Sequence, residues 1–329
     1  MVGHKAKKVT QKPDGWPSRI RRIFVSKTWK LTKFVRNVLQ NLRITGLLFI
    51  AIMVSGANAT SDQCSVKSGE YSVFNPAKGV FYTNSSDGCA FTAVKWGMAS
   101  DKIVPADYDG DGSIDAAVWR PSNATWLIRR SSDAKAQIVK FGAVGDIPVA
   151  GDYNGDGRAE IAIWRPTTAE WQIGKQRVSF GVDGDIPVPA DYDGDGKIDI
   201  AVFRPSENRW MILQSSDNKY RTEVFGDSKK DTLVPADYTG DGKADLAVYS
   251  AGKWNVLSSE TGEVEPFVMG FDDDVAAPGD YDGDGVVDFA VFRKGKWYVY
   301  ESGEPRFRSF DFGNADDLPL NAAATKKVS

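Results

Sequence analysis

Five short acidic segments hold the residues best suited to chemistry in this chain: Asp107-Tyr-Asp-Gly-Asp-Gly112, Asp152-Tyr-Asn-Gly-Asp-Gly157, Asp191-Tyr-Asp-Gly-Asp-Gly196, Asp237-Tyr-Thr-Gly-Asp-Gly242 and Asp280-Tyr-Asp-Gly-Asp-Gly285. Oxygen-bearing side chains stand two residues apart in each, and a further acid follows at the ninth position. Only oxygen donors are offered, which selects a hard cation and excludes zinc and copper. A flexible carboxylate loop favours calcium over magnesium, which demands stricter octahedral geometry.

The expected donors are the same in all five loops: the side chains at positions one, three, five and nine, and the backbone carbonyl at position seven. In the first loop these are Asp107, Asp109, Asp111, Ser113 and Asp115; in the second, Asp152, Asn154, Asp156, Arg158 and Glu160. The third offers Asp191, Asp193, Asp195, Lys197 and Asp199, and the fourth Asp237, Thr239, Asp241, Lys243 and Asp245. The fifth offers Asp280, Asp282, Asp284, Val286 and Asp288. Up to five Ca2+ sites are therefore expected, the fourth weakened by Thr239 and the second keeping a neutral donor in Asn154. An EF-hand needs a bidentate glutamate at position twelve. Those positions are Val118, Ile163, Val202, Val248 and Val291, so helix-loop-helix and dockerin-type readings fail.

The loops recur at intervals of 45, 39, 46 and 43 residues, the length of a four-stranded propeller blade. In the third repeat, Ile186–Ala190 reads as a first strand and the acidic loop follows. Ile198–Arg204 reads as the second strand, Trp210–Leu213 the third and Thr222–Phe225 the fourth, joined by polar turns. The second strand is apolar on both faces, so both must be covered, as when sheets stack face to face. Alanine recurs where sheets would converge (Ala117, Ala162, Ala201, Ala247, Ala290), and tryptophan opens each third strand (Trp126, Trp171, Trp210, Trp254, Trp297). The recurrent tryptophans fit an inter-blade core.

An upstream unit without a loop runs through Tyr71–Pro76, Val80–Tyr82 and Val94–Gly97 but lacks a first strand. At the far end, Asp317-Leu-Pro-Leu-Asn321 resembles Asp185-Ile-Pro-Val-Pro189 and has no blade after it. An all-β propeller of six four-stranded blades is expected, its C-terminal strand completing the N-terminal blade and removing two open sheet edges.

Residues 1–59 are different material. They hold 12 of the 41 Lys and Arg, one acid (Asp14) and the only histidine (His4). A basic stretch, a short apolar run from Ile44 to Val54 and Ala57-Asn58-Ala59 read in order as a secretory signal cleaved after Ala59. The run is short for a bilayer span; an uncleaved anchor is the alternative. The expected organisation is a leader over 1–59, a propeller over 60–323 and a tail over 324–329, with the protein secreted, periplasmic or at the cell surface. Without the leader the chain holds 29 basic and 43 acidic residues, a net charge of −14. Nucleic acid is excluded as a partner by that charge, which bound divalent cations would offset. Cys64 and Cys89, an isolated pair in an exported chain, are expected to form a disulfide. Without the leader no histidine remains, which excludes His-based triads and zincins. No phosphate-binding glycine loop occurs, and no catalytic residue is assigned; a polysaccharide-degrading enzyme is the least supported reading.

On these loops, the strand after each, and the endings Phe141-Gly142, Phe180-Gly181, Phe225-Gly226, Met269-Gly270 and Phe312-Gly313, the chain resembles the FG-GAP and VCBS-type repeats, including the integrin α-subunit propeller, over about residues 101–313. The resemblance implies loops that bind calcium as structural staples, and an adhesive role; the expected protein is a non-catalytic monomer that binds a protein or glycan ligand. Two departures stand out: Arg-Pro-Ser or Arg-Pro-Thr (from Arg120, Arg165, Arg204) where integrins carry Gly-Ala-Pro, and six units rather than seven. An alternative is a lectin. Arg120, Arg165, Arg204 and Arg293 recur near Trp126, Trp171, Trp210 and Trp297, an arrangement similar to the inter-blade sugar pockets of six-bladed fungal fucose lectins. Ser250 breaks that set in the fourth loop-bearing unit.

Overall fold

A computed structural model of the chain describes residues 70–85 and 90–320. Residues 1–69, 86–89 and 321–329 lie outside them, and so do the expected leader and the expected Cys64–Cys89 disulfide. The described strands form six antiparallel sheets of four. They are arranged as the blades of a ring, with one short turn of 3-10 helix at Pro166–Thr168. Among the described residues no helix is long and apolar enough to cross a membrane.

Blade 4 shows how the sequence builds each sheet. Its strands are Ile186–Pro187, Ile200–Arg204, Arg209–Leu213 and Tyr220–Val224, paired in chain order. The first strand is shorter than the five-residue phrase that announced it. After Pro187 the Val188 N–H still donates to the Ala201 carbonyl at 2.9 Å, and a bridge between Ala190 and Asp199 brackets the acidic loop. The third strand starts a residue early because Arg209 pairs with Arg204 at the turn, and the fourth starts at Tyr220, opposite Leu213.

The two apolar faces of the second strand go to different neighbours. Ile200 and Val202 pack with Trp164 and Trp171 of the preceding blade, while Ala201 and Phe203 pack with Leu233, Leu246 and Val248 of the following one. Successive side chains alternate across a strand, so a strand apolar on both faces fastens one blade to two others. The five repeated alanines and the five third-strand tryptophans are all fully buried.

Blade 1 takes its innermost strand, Leu318–Pro319, from the other end of the chain, followed by Glu70–Asn75, Val80–Ser85 and Phe91–Lys95. Leu318 pairs with Phe74 and Pro319 with Val73. Tyr71 and Val73 pack on Ala290, Phe292 and Trp297 of blade 6, while Phe74 and Phe81 pack on Val118 of blade 2. The ring is closed by apolar packing on both sides of the composite blade.

Candidate metal centres

Each acidic loop lies between the first and second strands of blades 2 to 6, and its first aspartate is its organiser. Asp107 accepts hydrogen bonds from Gly110 N–H at 2.6 Å and Gly112 N–H at 2.8 Å. Asp152, Asp191, Asp237 and Asp280 do the same in their own loops. Both glycines of the first loop have positive φ, +75° and +84°, a conformation in which a side chain would be strained.

The ninth acid is held from two sides. Asp199 accepts from Tyr192 N–H at 2.9 Å and Ser215 N–H at 2.6 Å. Asp115 does so from Tyr108 and Ser131, Asp245 from Tyr238 and Ser259, and Asp288 from Tyr281 and Ser302. These four aspartates are fully buried. Burial pushes the carboxyls of Asp199 and Asp288 up to about 6, against the hydrogen bonds that favour their charged form. It also raises Asp115 and Glu160.

Carboxylate oxygens converge in three loops: Asp107, Asp109 and Asp115 in blade 2, Asp191, Asp193 and Asp199 in blade 4, and Asp280, Asp282 and Asp288 in blade 6, each set within 4.8 Å. In blade 3 the third position is Asn154, whose amide donates to Glu160 at 2.6 Å. In blade 5 it is Thr239, whose hydroxyl lies 3.4 Å from Asp245. The fifth-position acids stand apart from the triads. Asp111, Asp195 and Asp241 accept from the hydroxyls of Ser131, Ser215 and Ser259 at 2.8, 2.9 and 2.8 Å, and from backbone N–H groups of their own loops. The seventh residue turns its side chain onto the preceding loop, with Arg158 over Gly110, Lys197 over Gly155, Lys243 over Gly194 and Val286 over Gly240.

Neighbouring loops are linked through the backbone. The carbonyls of Asp107, Asp152, Asp191 and Asp237 accept from Ala159, Ile198, Ala244 and Val287 of the next blade, at 2.6–2.8 Å. The five loops therefore form a connected row.

A hard divalent cation fits the triads by donor chemistry and by an unmet need. Three carboxylates brought together, one of them fully buried, repel each other unless protons or cations intervene. Asp109 Oδ1 is also buried without a hydrogen-bond partner.

In the sequence the serine turn is legible only as one of the polar turns that join the strands. Its signal is a serine 16 residues after the ninth acid in blades 2 and 4, and 14 residues after it in blades 5 and 6.

The arginine and tryptophan set does not form open ligand pockets. Trp126, Trp171, Trp210 and Trp297 have no exposed surface, and their indole N–H groups donate to the carbonyls of Phe141, Phe180, Phe225 and Phe312 at 3.0–3.1 Å. No ring face is left for a sugar, because facing blades cover both. Arg120, Arg165 and Arg204 each grip one aspartate with two hydrogen bonds: Asp101 at 2.9 Å, Asp146 at 2.8 Å and Asp185 at 2.9 and 3.0 Å. Arg293 holds Asp274 in the same way. The carboxylates also accept from the turn before them, as Asp185 does from Val182 N–H at 2.9 Å.

Ring and loops define a six-bladed propeller with an acidic loop in every blade but the composite one. Its repeats are FG-GAP-like: the profile of the FG-GAP-like repeat family matches residues 107–163 and 191–248, each match beginning on the first aspartate of a loop. No curated protein matches the chain. Among solved structures, the chain is similar to an Agrocybe aegerita lectin described as recognising non-reducing terminal N-acetylglucosamine, at 15% identity and a TM-score of 0.48, covering 79% of this chain and 82% of that one. It is also similar to TolB from Acinetobacter baumannii, at 15% identity and a TM-score of 0.49, covering 75% of this chain and 64% of that one. A third is an inactive virginiamycin B lyase from Staphylococcus aureus, at 8% identity and a TM-score of 0.48, covering 79% and 94%.

Proposed function

We propose that this protein is an exported, calcium-stapled propeller that serves as a non-catalytic module for binding a protein or glycan ligand. The observation that carries the reading is the convergence of three carboxylates in each of three loops, with Asp109 Oδ1 buried and unpartnered in one of them. Calcium at the loops would offset the charge that the acids place between neighbouring blades and so hold the ring rigid. A rigid ring displays turns and loops at fixed spacing, which suits recognition. Export rests on the order of basic stretch, apolar run and Ala57-Asn-Ala59. The lectin alternative loses the support it drew from Trp126, Trp171, Trp210 and Trp297, since these rings are covered.

Calcium binding is tested by thermal melting in calcium and in EDTA, with magnesium as comparator. A ligand at about a hundredfold excess over its Kd stabilises by about 2.7 kcal/mol per site. The melting point should therefore rise clearly in calcium and less in magnesium; an unchanged midpoint overturns the staple. Ligand binding is tested on glycan and extracellular-protein arrays probed in calcium and in chelator. Reproducible turnover of a polysaccharide, abolished by one acid substitution outside the loops, would overturn the non-catalytic assignment.

A further inference from the structure

In blades 2, 3, 4 and 6 the aspartate that opens the blade is covered by an arginine 19 residues later. The side chains of Asp101, Asp146, Asp185 and Asp274 are consequently 0–2% exposed. In blade 1 the amide of Asn75 covers Asp317 instead. Blade 5 alone among the six breaks the arrangement. Its aspartate is Asp231, and the residue at the arginine position is Ser250, whose short hydroxyl reaches the Lys230 carbonyl at 3.1 Å.

The space left at Ser250 is an open cavity of about 470 Å³, lined by Asp231, Ser250, Asp227, Gly226, Val248 and Lys230 among others. Asp231 is only half-buried there, and still accepts from Asp227 N–H at 2.7 Å, as its counterparts do from their own turns. Burial raises its carboxyl above the ordinary value; the hydrogen bond from Asp227 N–H opposes the rise, the Asp227 charge adds to it, and Ser250 and Lys230 oppose it. Among the described residues no lysine or arginine forms an ion pair with Asp231; Lys230 is 74% exposed and lies 3.4 Å from Asp227 instead. Asp227 also places a second carboxylate at the rim, where blades 2, 3, 4 and 6 have Met98, Ala143, Val182 and Phe271.

We propose that blade 5 carries a binding pocket for a guanidinium group, which would sit on Asp231 in the space opened by Ser250, as Arg204 sits on Asp185 in blade 4. The ligand class is an alkylguanidinium, either a free small molecule or the arginine side chain of a peptide. The other blades show that this turn presents both carboxylate oxygens to a planar donor fork. A guanidinium matches that fork and is weakly hydrated, whereas an ammonium is a strongly hydrated point charge. None of the residues lining the pocket belongs to an acidic loop.

The full chain, kept in calcium, is titrated at low millimolar concentration with ethylguanidinium, ethylammonium and ethylurea, followed by calorimetry and thermal melting. Saturable binding of ethylguanidinium is expected, with ethylammonium about tenfold weaker or worse and ethylurea silent. Ser250→Arg should abolish the binding and raise the melting point by supplying the group internally. Asp231→Asn should abolish binding in a protein that still melts cooperatively. A Gly-Arg-Gly peptide that binds more tightly than ethylguanidinium would identify a peptide arginine as the ligand; weaker binding would identify a free guanidinium compound. Absent saturation, equal affinity for ethylurea, or binding that survives in Ser250→Arg would overturn the proposal.

Discussion

Blade 1 and blade 4 share one four-stranded frame and are held together by different means. Blade 4 is continuous in sequence and carries every device of the repeat: an acidic triad, a serine turn that grips the loop, and the clamp of Arg204 on Asp185. Among the described residues blade 1 has neither the triad nor the serine turn. It joins two chain ends, and its clamp is reduced to the amide of Asn75 on Asp317. Aromatic packing stands in their place: Tyr71 stacks on Tyr281 with ring centroids 4.7 Å apart and meets Phe310 edge-on at 4.2 Å. The difference teaches that the blade frame needs only paired strands with two apolar faces. Loops and clamps are additions that fasten a blade already specified.

Breaking the closure should have the largest effect. Deleting residues 316–329 removes Asp317 and the strand Leu318–Pro319, leaving the edge of Glu70–Asn75 open. The expected loss is on the order of 5 kcal/mol, with aggregation through the bare edge. A truncated protein as soluble and as resistant to urea as the parent would show that blade 1 closes without its donated strand.

Next come the clamps. Arg204→Ala leaves Asp185, whose side chain is 1% exposed, without its cation. A broken buried pair costs about 3–5 kcal/mol, and the partial exposure of Arg204 reduces this to about 2–3 kcal/mol. Asn75→Ala in blade 1 removes a neutral donor and should cost about 1 kcal/mol. Equal losses in urea titrations of the two variants would erase the distinction between the blades.

The loops can be graded against each other. Asp193→Thr gives blade 4 the third-position residue of blade 5, and Thr239→Asp does the reverse. Calcium affinity should fall about tenfold at the first site and rise about tenfold at the second, since affinity follows the charge of the ligand set. Calorimetric titration of the two variants checks this, and unchanged isotherms would remove the third position from the site.

The smallest effect is expected from pH. Burial raises Asp199 and Asp288 to about 6, above the ordinary carboxylate value, so the calcium-free fold binds protons more tightly than the unfolded chain. Their charge therefore weighs against the fold above that pKa, and the penalty is relieved as pH falls towards the unfolded value. In EDTA the melting point should rise modestly from pH 7.5 to pH 5, and the gain from calcium should shrink over the same range. A fall in EDTA over that range would contradict the assignment.

Most of the frame was legible in the chain because a repeat states its own period. Loop spacing, second strands apolar on both faces, buried tryptophans and the orphan phrase at Asp317 pointed to six blades and their closure. The partners of the arginines were less legible. Asp101, Asp146, Asp185 and Asp274 lie 19 residues before them, and only the turn of the strands brings each pair together. Spacing also put five donors in every loop, whereas the fold draws positions one, three and nine together in three loops and turns Asp111, Asp195 and Asp241 towards serines of a later turn.

The sequence by itself determined the local chemistry: oxygen donors on glycine turns, the order of the strands, and the faces that must be covered. These follow from residue type and near-neighbour spacing, which any short stretch of chain contains. Tertiary structure alone decided which acids converge. It also decided which aspartates are clamped, and it left Asp231 with an open cavity beside it. Such properties depend on what the neighbouring strand or blade brings to the same place.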